Sequence, residues 1–159
     1  MSNALSDENI KRFAAAWYNA LDIHAPVEHC LEFLAENVEM NFPPDPPFTG
    51  YEGFRKWYVD IIVKTFFDEN HNLVSVTAEK RTEQSVDVNV VVAWQASWFK
   101  PTGLPEDAKS HRTSMNAFQK WTVRPSSRRG ALNTFGLEIS YYNAAVKPFE
   151  YAAGFAQLG

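Results

Sequence analysis

Glu39 and His111 are the residues of this 159-residue chain best suited by type and place to move a proton. Glu39 lies in "NVEMNF", whose alternation sets Val38, Met40 and Phe42 on one face of a strand and Glu39 and Asn41 on the other. Facing an apolar interior, that carboxylate would be a desolvated base; facing outward, it is an ordinary solvated glutamate. His111 opens a strand-like run, and an imidazole changes charge near neutral pH. Asn41 and Asn116 are amides and cannot exchange a proton there, but they can orient a carbonyl or hydroxyl. Arg112 and Ser114 alternate with Asn116, opposite Met115, Ala117 and Trp121, and either face of that strand could turn inward.

Other chemistries find less support. His24, His29 and His71 share no metal-ligand spacing with one another or with His111, and Cys30 is a lone cysteine, so no zinc site is expected. There is no nucleophile elbow, phosphate-cradling glycine loop or dinucleotide fingerprint, so the expected chemistry needs no cofactor.

Positioning these residues requires a mixed α and β architecture. Ile10, Phe13, Ala14, Trp17 and Leu21 recur at helical spacing behind Ser6, Asp7 and Glu8, which suit a helix start. Pro26 suits the first position of a short second helix carrying Val27, Cys30, Leu31 and Leu34. Thr49 and Glu52 have capping-box spacing, and Phe54, Trp57, Tyr58, Ile61 and Ile62 follow helically from about Gly50. The period then becomes two, with Val86 to Trp98 alternating against Asp87, Asn89, Gln95 and Ser97. Further strands are predicted at 71–80, 110–124 and 132–142, joined by "KRTEQ", "KPTGLPEDAKS" and "RPSSRRG". The order α-α-β-α-β-β-β-β implies an α+β layer with an antiparallel sheet covered by helices.

Composition sets the class of partner. A net charge of −4 argues against a nucleic-acid binder, which needs a basic face to displace counterions. No apolar run approaches the roughly 20 residues of a membrane helix. The polar, acidic "MSNALSDENI" lacks the features of a signal peptide, and the expected location is cytoplasmic. Aromatic residues make up 14% of the chain, which suits either a ring-rich core or a ring-lined cavity for an apolar ligand.

The element order and the stretch "NFPPDPPFTGYEGFRKWY" resemble the nuclear-transport-factor-2-like superfamily, which includes ketosteroid isomerases and SnoaL-like cyclases. The likeness spans about residues 6–142 and rests on Gly50 followed by a helix with Phe54 and Tyr58, on "FQKWTV" and on "LEISYY". It implies a curved antiparallel sheet forming a cone closed by three helices, with ligands entering the open end. Trp17, Tyr58, Trp94, Trp98 and Tyr141, with Leu137 and Ile139, would line that cone. Asp45, in the proline loop, would stand near the mouth, where its ordinary role is to shape a turn.

The resemblance also places the isomerase base at Asn41, the tyrosine at or beside Trp17 with Tyr18 next to it, and the oxyanion acid at about Asn116. Two amides then stand where the acid and base belong, so steroid isomerase activity is not expected. The expected function is a cofactor-free isomerase, dehydratase or cyclase acting on an apolar, ring-bearing carbonyl compound. Glu39 or His111 would carry the proton, and Asn116→Ala would weaken ligand binding. The alternative is a non-catalytic ligand-binding or dimerisation module. The whole of 1–159 is expected to be one domain. Its tail, 143–159, carries Phe149, Tyr151 and Phe155, which would pack on the mouth or on a second subunit. The resemblance implies a homodimer through the sheet.

Overall fold

The computed structural model describes residues 4–43, 45–99 and 110–157. Helix α1 (Asp7–Asp22) starts at Ser6, whose hydroxyl accepts the Asn9 N–H at 3.2 Å. It buries the predicted stripe of Ile10, Phe13, Ala14, Trp17 and Leu21. α2 (Val27–Leu31) is shorter than expected: Pro26 is its cap rather than its first residue, and Leu34 already begins strand β1 (Leu34–Asn41). A two-residue strand, β2 (Phe48–Thr49), pairs with β1 and leads into α3 (Gly50–Trp57).

Thr49 occupies the cap position of α3 with an extended backbone, but its side chain makes no cap bond. The capping box does not form, and Glu52 pairs with Arg55. Gly50 makes the entry turn at φ 73°, a left-handed conformation that favours glycine. A π-helical turn (Tyr58–Ile62) and a last short turn, α4 (Val63–Thr65), complete this helical arm.

Strands β3 (Phe66–Arg81), β4 (Val86–Phe99), β5 (Ser110–Pro125) and β6 (Leu137–Asn143) supply most of the sheet. The sheet order is β2-β1-β6-β5-β4-β3, with β7 (Glu150–Tyr151) added against β5. Every pairing is antiparallel except β1 with β6, which is parallel. Three register breaks along β3 against β4 bend this edge. The "KPTGLPEDAKS" connection lies outside the described residues apart from Ser110. Residues 132–136 are not strand; there Asn133 is buried and donates to the carbonyls of Glu32 and Leu137 at 2.7 and 2.8 Å.

The core lies between α1, the α3 arm and the concave face of the sheet. Val86, Val88, Val90, Val92, Trp94 and Ala96 all turn inward, as their period of two requires. On β5 the inward face is Thr113, Met115, Ala117, Gln119, Trp121 and Val123. On β6 the alternation slips: Ile139 pairs with Val123 but Tyr141 pairs with Thr122, leaving Ser140 as an extra residue. This bulge buries Tyr142 and leaves Tyr141 36% exposed, so the predicted lining position at Tyr141 passes to its neighbour. Among the described residues no helix is long and apolar enough to cross a membrane.

Candidate active site

The inward faces of β3, β4 and β5 enclose a cavity of about 130 Å³ with the α3 arm and the proline loop. Its apolar wall includes Phe42, Trp57, Phe66, Trp94, Tyr142 and, from the tail, Phe149. Phe42 stacks on Trp57 with centroids 4.1 Å apart, and Phe66 meets Trp94 edge-on at 5.2 Å. Such offset and edge contacts fix ring positions as well as burying area. The polar members of the wall are Asp45, Glu69, His71 and Gln119.

His71 is held from behind. Its backbone N–H donates to Asp22 Oδ1 at 2.9 Å, and its ring Nδ1 lies 2.6 Å from the same oxygen, which as a carboxylate oxygen can only accept. Tyr18 stacks on the ring with centroids 5.1 Å apart and planes 19° from parallel. In the neutral imidazole, a hydrogen fixed on Nδ1 leaves the lone pair on Nε2. Asp22 is the last residue of α1, so the helix terminus delivers the carboxylate and β3 delivers the ring. Carboxylate, imidazole and cavity stand in the order that a general base requires.

Gln119 is oriented in a similar way. Its Oε1 accepts the Tyr18 hydroxyl at 2.7 Å and the Trp121 indole N–H at 3.1 Å, and the Gln119 amide also reaches the buried Tyr142 phenol. Tyr142 accepts the Trp17 N–H at 3.2 Å, and burial pushes its phenol up to about 12, so it stays neutral. Burial, with Tyr142 beside it, likewise holds Tyr18 well above the ordinary phenol range. Glu69 accepts from Trp94 Nε1 at 3.1 Å and from His24 Nε2, while Asp45 accepts from Trp57 Nε1 at 3.1 Å.

No family model and no curated sequence matches the chain. Solved structures do match it. A proposed aromatic ring hydroxylase from Novosphingobium aromaticivorans superposes with a TM-score of 0.72 at 12% identity, covering 96% of each chain. The hexachlorocyclohexane dehydrochlorinase LinA-type3 from Novosphingobium barchaimii gives 0.63 at 13% identity, over 96% of this chain and 93% of that one. A proposed dehydratase of the NTF2-like family from Streptomyces avermitilis gives 0.64 at 14% identity, over 87% and 93%. The fold is nuclear-transport-factor-2-like. At these identities the likeness establishes the fold and leaves the reaction to the side chains.

Within this nuclear-transport-factor-2-like fold, Trp94 lines the cavity, as does Asp45 of the proline loop. Trp17 and Tyr58 are buried in the core behind it; the Tyr58 hydroxyl donates to the Ala25 carbonyl at 2.7 Å, and burial raises its pKa. Trp98 is half-buried and packs on Phe66 and on the His111 ring, with His111 centred 5.5 Å away. Neither Trp98 nor His111 is part of the cavity wall.

Glu39 and Asn41 share the face opposite the buried Val38 and Met40. Glu39 is exposed, and the Asn41 amide donates to Asn143 Oδ1 at 3.3 Å. Asn116 is exposed opposite Glu150 of β7, because the apolar face of β5 turned inward. Asn116 is therefore not among the residues that line the cavity. Asn116→Ala should leave the affinity for any cavity ligand within about twofold, since the substitution lies on the outer face; calorimetric titration checks this.

Sequence reasoning missed Asp22, Glu69, His71 and Gln119 as a group. A signal was present in "DIH" and "DENH", each with a carboxylate two residues before a histidine. The spacing within each stretch gives no metal site, and the partner of each histidine is a carboxylate on the other element.

Proposed function

We propose that the protein is a small enzyme that removes a proton from carbon beside the carbonyl of an apolar, ring-bearing compound, for isomerisation or elimination. The observation that carries this reading is His71, which lines a ring-lined cavity while its Nδ1 lies 2.6 Å from the Asp22 carboxylate, a pairing that leaves Nε2 as the nitrogen free to take a proton. His71 takes the α-hydrogen at Nε2. Asp22 holds the ring in the right tautomer and stabilises the imidazolium that forms. The Gln119 amide donates to the carbonyl oxygen as it becomes enolate-like, aided by the low dielectric of the aromatic wall. The apolar lining favours a flat hydrocarbon ring, and the reaction needs only side chains.

The names of two structural neighbours agree in kind: dehydrochlorination and dehydration both remove hydrogen and a leaving group from adjacent carbons. The test is deuterium incorporation from D2O at the α-carbons of cyclohexanone and 1-indanone, followed by mass spectrometry. Protein-dependent, saturable incorporation above buffer is expected. Rates equal to buffer for both ketones would remove this reading.

A further inference from the structure

Two carboxylates stand on a wall made mostly of rings. Asp45 comes from the proline loop and Glu69 from β3, and among the described residues no lysine or arginine joins them on that wall. Each is held in the same way, by the indole N–H of a tryptophan that also lines the cavity. Trp57 donates to Asp45 Oδ2 and Trp94 to Glu69 Oε1, both at 3.1 Å. An indole that donates to an anion is polarised by it and carries more electron density on its ring. The contact that orients each carboxylate therefore also makes the wall more attractive to a cation.

The two carboxylates differ in how far the protein satisfies them. The Glu69 side chain is 4% exposed and accepts on both oxygens, from Trp94 and from His24. Asp45 is half-buried; its Oδ2 takes the Trp57 N–H, and its Oδ1 has no hydrogen-bond partner among the described residues. The nearby imidazoles are engaged elsewhere, His24 with Glu69 and His71 with Asp22. A carboxylate covered by an apolar ligand loses its water, which is unfavourable unless a positive group meets it. A hydrocarbon ligand would leave Asp45 without that group, whereas a ligand with a positively charged nitrogen supplies it. The rings suit the same ligand, since a cation within about 6 Å of an aromatic face is attracted by it. The volume of about 130 Å³ is close to that of a cavity that holds one benzene ring.

We infer that the substrate is a ring compound bearing a protonated or quaternary amine, and that Asp45 receives the charged nitrogen. The more deeply buried Glu69 adds to the negative field, and the rings of the wall pack on the rest of the molecule. The inference rests on the reading of this cavity as the substrate site and names the class of compound it takes. The site then discriminates by sign. An ammonium is drawn in, an uncharged ring of the same shape binds by burial alone, and a carboxylate is repelled.

The experiment titrates the whole chain with phenyltrimethylammonium, with its uncharged carbon isostere tert-butylbenzene, and with benzoate, read by tryptophan fluorescence. Saturable binding of the ammonium and none of benzoate are expected. Asp45→Asn should weaken the ammonium by about tenfold, the scale of one partly desolvated charge pair, and tert-butylbenzene by less than about twofold. Glu69→Gln should change the two in the same direction. The uncharged isostere reports the integrity of the cavity, so a folding defect, which weakens both probes, is told apart from a lost charge. Wild-type protein that does not bind the ammonium overturns the inference, as does a ratio of the two affinities that is the same in wild type and both variants. α-Deuterium exchange into cyclohexanone is followed in parallel. Exchange without ammonium binding leaves His71 as the base and removes this inference alone, whereas selective ammonium binding without exchange removes the base and supports the cation site.

Discussion

His71→Gln should slow α-hydrogen exchange by roughly 10²–10⁴-fold, the usual contribution of a positioned general base. Glutamine keeps much of the volume between Tyr18 and Trp94, so the cavity survives while the only imidazole on its wall among the described residues is lost. Binding of an unreactive ring ketone should change far less than turnover, because an interaction used mainly in the transition state appears in kcat. Asp22→Asn should give a smaller but clear loss. An amide NH2 facing Nδ1 favours the tautomer with hydrogen on Nε2, which takes the lone pair away from the cavity. Equal rates for wild type and His71→Gln in the D2O assay would show that another group takes the proton.

Trp17→Ala should have the largest effect on stability, about 4 kcal/mol, within the range for deleting a buried aromatic side chain. The ring is fully buried and packs against Phe33, Phe54 and Tyr142 with centroids 5.7, 6.1 and 5.9 Å away. Its indole N–H donates to Tyr142, so truncation opens a void beside the wall of the active cavity and removes a donor from a buried phenol. For a chain of this length the melting temperature should fall by about 8–16 °C. Trp17→Phe, which retains most of the ring packing, should lose less than half as much. A fall of only a degree or two in Trp17→Ala would show that the neighbours close over the space.

The elements that depend on local periodicity were legible in the sequence. The α1 stripe and the Val86 to Ala96 face of β4 follow directly from spacing, and both bury the residues predicted. The site was less legible, for three physical reasons. The partners Asp22 and His71 lie 49 positions apart, so only the docking of α1 on β3 brings them together. Placing the start of β3 at His71 rather than Phe66 left Glu69 outside the strand, hiding its shared face with His71. The bulge at Ser140 exchanged Tyr141 for Tyr142, since one extra residue reverses every side chain beyond it.

Asn41 illustrates the same limit from the other side. Alternation correctly separated Asn41 and Glu39 from Val38 and Met40, but alternation alone does not say which face is wet. Met40, fully within the core, settles it: the amide faces outward to Asn143. The polar residues on the strands that line the cavity are instead His71 of β3 and Gln119 of β5, to which the proposed function gives the polar work.

The most direct test of the account is the tautomer of His71, read from its two ring nitrogens by long-range proton–nitrogen NMR at alkaline pH, with and without cyclohexanone. Hydrogen on Nδ1, a bare Nε2 and a shift of the Nε2 signal when the ketone binds are expected. Hydrogen on Nε2, or an Nε2 signal indifferent to the ketone, would contradict it.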